Sequence, residues 1–286
     1  MVCEAISFGA ISIVNGLATG IGASLGIKLN VRTKSFICSS EDLIRTMYRG
    51  RPINIDHNLV CKIINKFRKI FKINNYIGVI VDSEIPPERG LKSSSAVANS
   101  VILSLCKLFD IKMGINNILR LNAEASLESG VSITGAFDDS AATLLGGIII
   151  ADNNKWKILQ VMDVLKEYKV IIGYSDRKAR TSQFRNIDYS PIKKIIEQCI
   201  DLCFRNRWVE AMIINGIFYS YVYGYDVNPI FEAIREGALA ASISGTGPSY
   251  VAIGDDLSSV IDIWVNKFGL NILVTEVRKI NERFIH

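Results

Sequence analysis

Pro86-Pro87-Glu88-Arg89-Gly90-Leu91-Lys92-Ser93-Ser94-Ser95-Ala96 is the stretch that decides how this chain is to be read. It follows a β-rich run, Tyr76-Ile77-Gly78-Val79-Ile80-Val81. It precedes Val97, Val101, Leu105 and Leu108, which recur at helical spacing. Two prolines end the strand, because proline has no N–H to give to a ladder. Gly90 lets the backbone bend and lets another group approach closely. The order predicted is strand, glycine loop, hydroxyl cluster, helix N-terminus. Unpaired N–H groups and the positive end of a helix dipole favour an anion there, phosphate above all. The same residues also suit a serine N-cap after a turn, and local chemistry leaves both readings open. No Gly-x4-Gly-Lys-Ser/Thr loop is present.

Upstream, residues 3–14 predict a strand, Asn15-Gly16 a turn, and Ser24–Val31 a second strand, with Thr19-Gly20-Ile21-Gly22-Ala23 as a small-residue connection. Asn15, Thr19 and Ser24 are short polar groups able to bond hydroxyls. No charge occurs between Ala5 and Ile27. The interspersed glycines, serines and Asn15 argue against a membrane span, and no basic segment precedes it as in a signal peptide. A soluble, cytoplasmic protein is expected. Glu41–Met47 and Leu59–Phe71 predict helices, the second amphipathic, with Val60, Ile63, Ile64, Phe67 and Ile70 on one face.

Downstream, residues 116–129 predict a helix closed by Gly130. It carries Glu124 and Glu128 side by side, like charges that call for a nearby cation. The run Gly135-Ala136-Phe137-Asp138-Asp139-Ser140-Ala141-Ala142 follows, then Thr143–Ala151, read as a buried strand. Asp152-Asn153-Asn154-Lys155 is a polar turn and the expected boundary between domains 1–152 and 153–286. Further on come a strand over 168–174, a basic loop with Arg177, Lys178, Arg180 and Arg185, and helices over 190–205, 207–222 and 228–237. The loop Ser244-Gly245-Thr246-Gly247-Pro248 lies between β-like runs. A helix over 256–268, with Val260, Ile261, Trp264 and Val265 inward, and a strand over 271–277 complete the chain.

With 286 residues and 49% hydrophobic content the chain supports a large core, burying roughly 75% of its unfolded surface. A formal charge of +5, spread without a Lys/Arg block, excludes an obvious nucleic-acid surface and suits small anionic ligands. The cysteines include no Cys-x-x-Cys and read as small buried hydrophobes in a reduced compartment.

Pro-x3-Gly-Leu-x-Ser-Ser-x-Ala resembles the ATP-binding loop of the GHMP kinase superfamily. The form Glu88-Arg89-Gly90-Leu91-Lys92-Ser93-Ser94-Ser95-Ala96, together with Thr134-Gly135-Ala136-Phe137-Asp138-Asp139, most resembles its archaeal shikimate kinase branch. Most members have a small residue in place of Lys92. Two further blocks, near residues 15–24 and 241–253, match in order. The resemblance implies an α+β fold of two domains, ribosomal protein S5 domain 2-like at the N-terminus and a ferredoxin-like α/β sandwich at the C-terminus. It implies ATP and Mg²⁺, and a small alcohol acceptor such as shikimate. On it, residues Pro86 and Glu88 to Ala96 bind nucleotide, and Ser94 and Glu128 hold Mg²⁺. Asp139, seven residues before Gly146-Gly147, takes the acceptor's proton. Lys92 itself suits either of two roles, steadying phosphate charge in catalysis or standing as a solvated loop lysine. Asn15, Thr19, Asp138, Ser244, Gly245, Thr246 and Gly247 border the acceptor, with Arg177 and Arg180 as carboxylate clamps. Homoserine kinases carry asparagine at the Asp139 position, which argues against that branch. Mevalonate, pantoate and homoserine kinases are the same-class alternatives. A catalytically silent nucleotide-binding regulator is the alternative of another class, and no membrane or nucleic-acid partner is expected.

Overall fold

A computed structural model describes residues 1–87, 89–175, 184 and 186–281. Its backbone is organised by one long strand, β2 (Ile21–Cys38). β1 (Val2–Val14) runs antiparallel along one edge of β2. The other edge is shared: Ile21–Leu25 pair with β6 (Ile148–Asp152), and Val31–Cys38 pair with β5 (Tyr76–Ser83). β3 (Leu43–Tyr48), β4 (Arg51–Pro52) and β7 (Lys157–Met162) complete a seven-stranded sheet. Along β2, Leu29, Val31, Thr33 and Ser35 are buried while Arg32 and Lys34 face water, the alternation of a strand with one wet face.

The charge-free stretch over residues 5–27 is therefore a strand pair and not a helix. Its inner half is wholly buried because α2 (Ser93–Leu108), α4 (Phe137–Leu145), α5 (Ser190–Phe204) and α6 (Trp208–Tyr223) pack on it. Among the described residues no helix is long and apolar enough to cross a membrane. The second sheet is antiparallel, in the order β11 (Asn271–Glu276), β8 (Lys169–Tyr174), β10 (Tyr250–Gly254), β9 (Ala240–Ile243). It carries α7 (Asn228–Arg235) and α8 (Ser258–Asn266).

Two expected elements are corrected. Glu41–Met47 is not helical: Leu43–Tyr48 is strand β3, parallel to β5. Its entry is pinned by Asp42, whose carboxylate accepts from the Ile77 N–H at 2.8 Å and from Arg68; tertiary pairing overrides local propensity here. Thr143–Ala151 is not one strand. Phe137–Leu145 forms α4, stopped at Gly146, and β6 begins at Ile148. A short apolar run cannot be told from a buried strand by periodicity alone. The polar turn at residues 152–155 joins β6 to β7 within the first sheet, so a division by sheet falls after Met162 and not at residue 152. Val260 and Trp264 point inward as expected, but Val265 is 44% exposed and Ile70 is 56% exposed. Cys199 and Cys203 are buried and free on one face of α5, their thiols pushed up to about 11 and about 12, chiefly by burial.

α2 is bound to the sheet and to its neighbours by buried polar groups. Thr33 and Ser100 hydroxyls meet at 2.7 Å, and Ser35 and Ser104 at 2.6 Å. Asn99 donates to the Ser140 carbonyl and to Thr143 Oγ1, while Asn122, on α3 (Ile115–Glu128), donates to Asn99 Oδ1 and to the Ser95 carbonyl. One amide ladder thus sets α2, α3 and α4 in register. At the far end of α4, the buried Arg278 guanidinium lies over the Phe8 ring and donates to the Thr143 and Leu144 carbonyls, each at 3.2 Å. Gly147 N–H donates to the Arg278 carbonyl and Asn281 N–H to that of Leu145. Asn99→Ala would leave one Asn122 amide hydrogen without its Asn99 Oδ1 acceptor and remove two hydrogen bonds to α4; the expected cost is about 1–3 kcal/mol, read as a lowered urea midpoint with an unchanged slope.

Candidate active site

A cleft of about 780 Å³ opens between the N-termini of α2 and α4, a volume in the range of small-molecule sites. Its floor is the phosphate-type loop. Pro87, Arg89 to Ser95 line it, and Ser93 to Ser95 form the first turn of α2 without a side-chain cap. The serines therefore do not close the helix end as an N-cap, and its first amides are left without a capping side chain. Gly90 has φ +73°, and a Cβ there would overlap the Ser244 carbonyl oxygen. The loop Ser244–Gly247 lies directly beneath, and Ser244 Oγ donates to the Gly90 carbonyl at 2.7 Å. Lys92 takes a left-handed backbone, φ 60°, which turns its side chain across the cleft.

Lys92 Nζ reaches Asp139 Oδ1 at 3.0 Å, the two side chains being only 10% and 14% exposed. Asp138 and Asp139 occupy the first turn of α4. Ser24 of β2 bridges them, its Oγ lying 2.6 Å from Asp139 Oδ1 and 3.1 Å from Asp138 Oδ2. The Asp138 N–H donates to Asn153 Oδ1. Burial raises the Asp138 carboxyl to about 7, the charge of Asp139 adding to the rise, while Lys92 and the hydrogen bonds that Asn153 and Ser24 can give its ionised form oppose it. Gly22 is glycine for space: a Cβ there would overlap Asp138 Oδ2. The glycine-rich first segment thus makes room for a carboxylate contributed over one hundred residues later.

The expected residues divide as follows. Arg89, Gly90, Leu91, Lys92, Ser93, Ser94, Ser95, Asp138, Asp139, Asn15, Gly245 and Thr246 line the cleft. Pro86 and Ala96 are buried behind the loop and do not line it. Asn15 is spent structurally, its amide donating to the Gly245 carbonyl at 2.9 Å and its Oδ1 accepting from Leu17 N–H. Thr19 is not in the cleft; its hydroxyl closes a local turn with Ile21. Ser244 and Gly247 support the loop from below and do not reach the cleft surface. Glu128 is also outside the lining: its carboxylate lies 2.7 Å from Lys66 Nζ, which holds Glu124 as well and keeps the Glu128 carboxyl below its usual range. Glu88, Arg177, Lys178, Arg180 and Arg185 lie outside the described residues.

Two walls escaped the sequence reading. One is Asn54–Val60, whose His57 Nε2 is buried without a partner, and the other is Ser126 with Ser129–Thr134. Neither has a compositional signature. Asn153 is also part of the site, in a turn whose polarity suggested only a linker.

The GHMP kinases N terminal domain model matches residues 58–147, the segment from α1 (Asn58–Phe71) to α4. Shikimate kinase of Pyrococcus abyssi is 33% identical over 270 residues, covering 94% of this chain and 97% of that protein. Shikimate kinase of Methanocella arvoryzae is also 33% identical, covering 96% and 93%. The chain belongs to the GHMP kinase family. Its likeness within that family is to archaeal proteins named shikimate kinase. Among solved structures, homoserine kinase of Cytophaga hutchinsonii superposes with a TM-score of 0.76 at 17% identity, over 98% of this chain and 95% of that one. Mevalonate kinase of Methanococcus jannaschii gives 0.76 at 16%, over 98% of each. These share the two-domain α+β fold of the family.

Gly90→Ala combines a positive φ with an overlap on Ser244. It should cost about 1–3 kcal/mol and weaken nucleotide binding, measured together by thermal melting with and without ATP.

Proposed function

We propose that the protein is a shikimate kinase, moving the γ-phosphoryl group of ATP to the 3-hydroxyl of shikimate to give shikimate 3-phosphate and ADP. The observation that carries this reading is the Asp139 carboxylate, ion-paired with Lys92, beside the uncapped start of α2 in one cleft. The relatives supply the acceptor's identity.

The chemistry follows from that placement. Amides of the α2 first turn and the serine hydroxyls hold the polyphosphate. Asp139 accepts the proton as the acceptor O–H bond breaks. The acceptor oxygen bonds to the γ-phosphorus, and the bridging oxygen leaves with its electron pair on ADP. Lys92 offsets the charge that would otherwise set a carboxylate against incoming phosphate. Mg²⁺, bound with the nucleotide, would supply neutralisation of the phosphate charge. Hydroxyl oxygens suit so hard an ion, and Ser94 is the side chain this cleft offers it. Among the described residues no cluster of three or more His, Cys, Asp or Glu side chains is gathered to hold a metal. Glu128 would have to leave Lys66 to join Ser94.

Shikimate, homoserine, mevalonate and pantoate assayed with Mg-ATP by coupled ADP detection should yield turnover with shikimate; its absence there, with turnover on another alcohol, reassigns the acceptor. Asp139→Asn should keep ATP affinity and lose about 10²–10⁴-fold in kcat. Ser94→Ala should raise the Mg²⁺ concentration for half-maximal rate, whereas Glu128→Ala should leave the titration unchanged.

A further inference from the structure

We infer that Asp138 is a positioning residue held as a neutral carboxylic acid, and that it fixes the ionised Asp139 by passing a hydrogen bond through Ser24. The inference rests on Asp139 being the base described above.

Counting hydrogens leads there. A serine hydroxyl has one proton to donate and lone pairs to accept. Ser24 Oγ is within bonding distance of two carboxyl groups, which as carboxylates would both be acceptors only. Ser24 can satisfy one of them. The other contact is a hydrogen bond only if that carboxyl carries a proton and donates to Ser24. The distances assign the roles. The 2.6 Å contact to Asp139 has the length of a hydroxyl donating to a charged carboxylate, and Asp139 also has the Lys92 ammonium at 3.0 Å. The 3.1 Å contact belongs to Asp138, which is buried, and the nearby Lys92 ammonium pairs with Asp139 instead. The chain of donors therefore runs from Asp138 to Ser24 to Asp139.

The surroundings agree. The charged groups acting on Asp138 are Asp139 on its own helix and Lys92 at the start of α2. β2 presents Ser24 and Gly22, neither titratable. The turn after β6 presents Asn153, while the neighbouring Asp152 carboxylate is taken up by the N–H groups of Asn154 and Lys155. Burial and the Asp139 charge raise the Asp138 carboxyl to about 7, so the proton is held below neutrality and lost above it. Once lost, two carboxylates compete for one Ser24 proton and one Lys92, and Asp139 is less firmly fixed.

The test uses the full chain. Carboxyl ¹³C NMR of aspartate-labelled protein, which needs no turnover, should show one aspartate titrating near neutrality in the wild type and absent in Asp138→Asn. Asp138→Ala should lower kcat by about 10–100-fold with nucleotide affinity little changed. Asp138→Asn, whose amide can still donate to Ser24, should recover most of that loss. The wild-type rate should fall about tenfold per pH unit above the NMR midpoint, and this limb should be missing in Asp138→Asn. An Asp138→Asn protein that melts normally but is as slow as Asp138→Ala, or that keeps the alkaline limb, overturns the inference. So does a wild type in which every aspartate titrates in the ordinary acid range. If the wild type phosphorylates none of the alcohols tested, the kinase reading fails, while the NMR titration still decides where the proton resides.

Discussion

The ion pair between Lys92 and Asp139 is the contact on which the rest of the molecule turns. It joins the first turns of two helices that come from different parts of the chain, and both partners are largely withdrawn from water. Such a pair adds little net stability, since desolvation offsets much of the attraction, yet losing one partner leaves the other as an unmatched charge. Its value is geometric. It fixes how far apart two positive helix ends stand, and so fixes the width of the space between the uncapped turn of α2 and a carboxylate. The amide ladder of Asn99 and Asn122 holds the same two helices from behind, where a purely apolar contact would permit sliding.

Backbone packs on backbone wherever this arrangement needs room. The phosphate-type loop sits on the Ser244–Gly247 loop through the Ser244 hydroxyl and the Gly90 carbonyl, and Asp138 fits against β2 where Gly22 leaves space. The three glycine-bearing segments thus act as clearances between neighbours as much as ligand contacts. That accounts for Thr19 and Ser244, polar residues of those segments that serve the scaffold and stay out of the cleft.

What could be read in the sequence is what is local. The strand, loop and helix around Gly90 are specified within about twenty residues, and so they emerged with the right type and nearly the right ends. The spacing that singles out Asp139 is also local. Glu41–Met47 was unreadable because its conformation is set by pairing with β5, some thirty-five residues on. The α4 segment, rich in alanine and leucine, satisfies a buried strand and a buried helix equally. Glu128 shows the limit of reading along the chain: the resemblance assigned it to Mg²⁺, but Lys66 on another helix claims the side chain. The meeting of Ser24 with both aspartates spans 114 and 115 residues, and no pattern along the chain announces it.

The fastening of α4 by Arg278 has a consequence for how the molecule comes into being. The helix bearing both carboxylates is translated 135 residues before the guanidinium that ties down its last turn. During synthesis the first turn of this helix can already be held by Ser24, Lys92 and Asn99, while its last turn lacks the Arg278 contacts until residues 278–281 leave the ribosome. The two ends of the helix bearing both carboxylates are therefore fastened by parts of the chain made at different times.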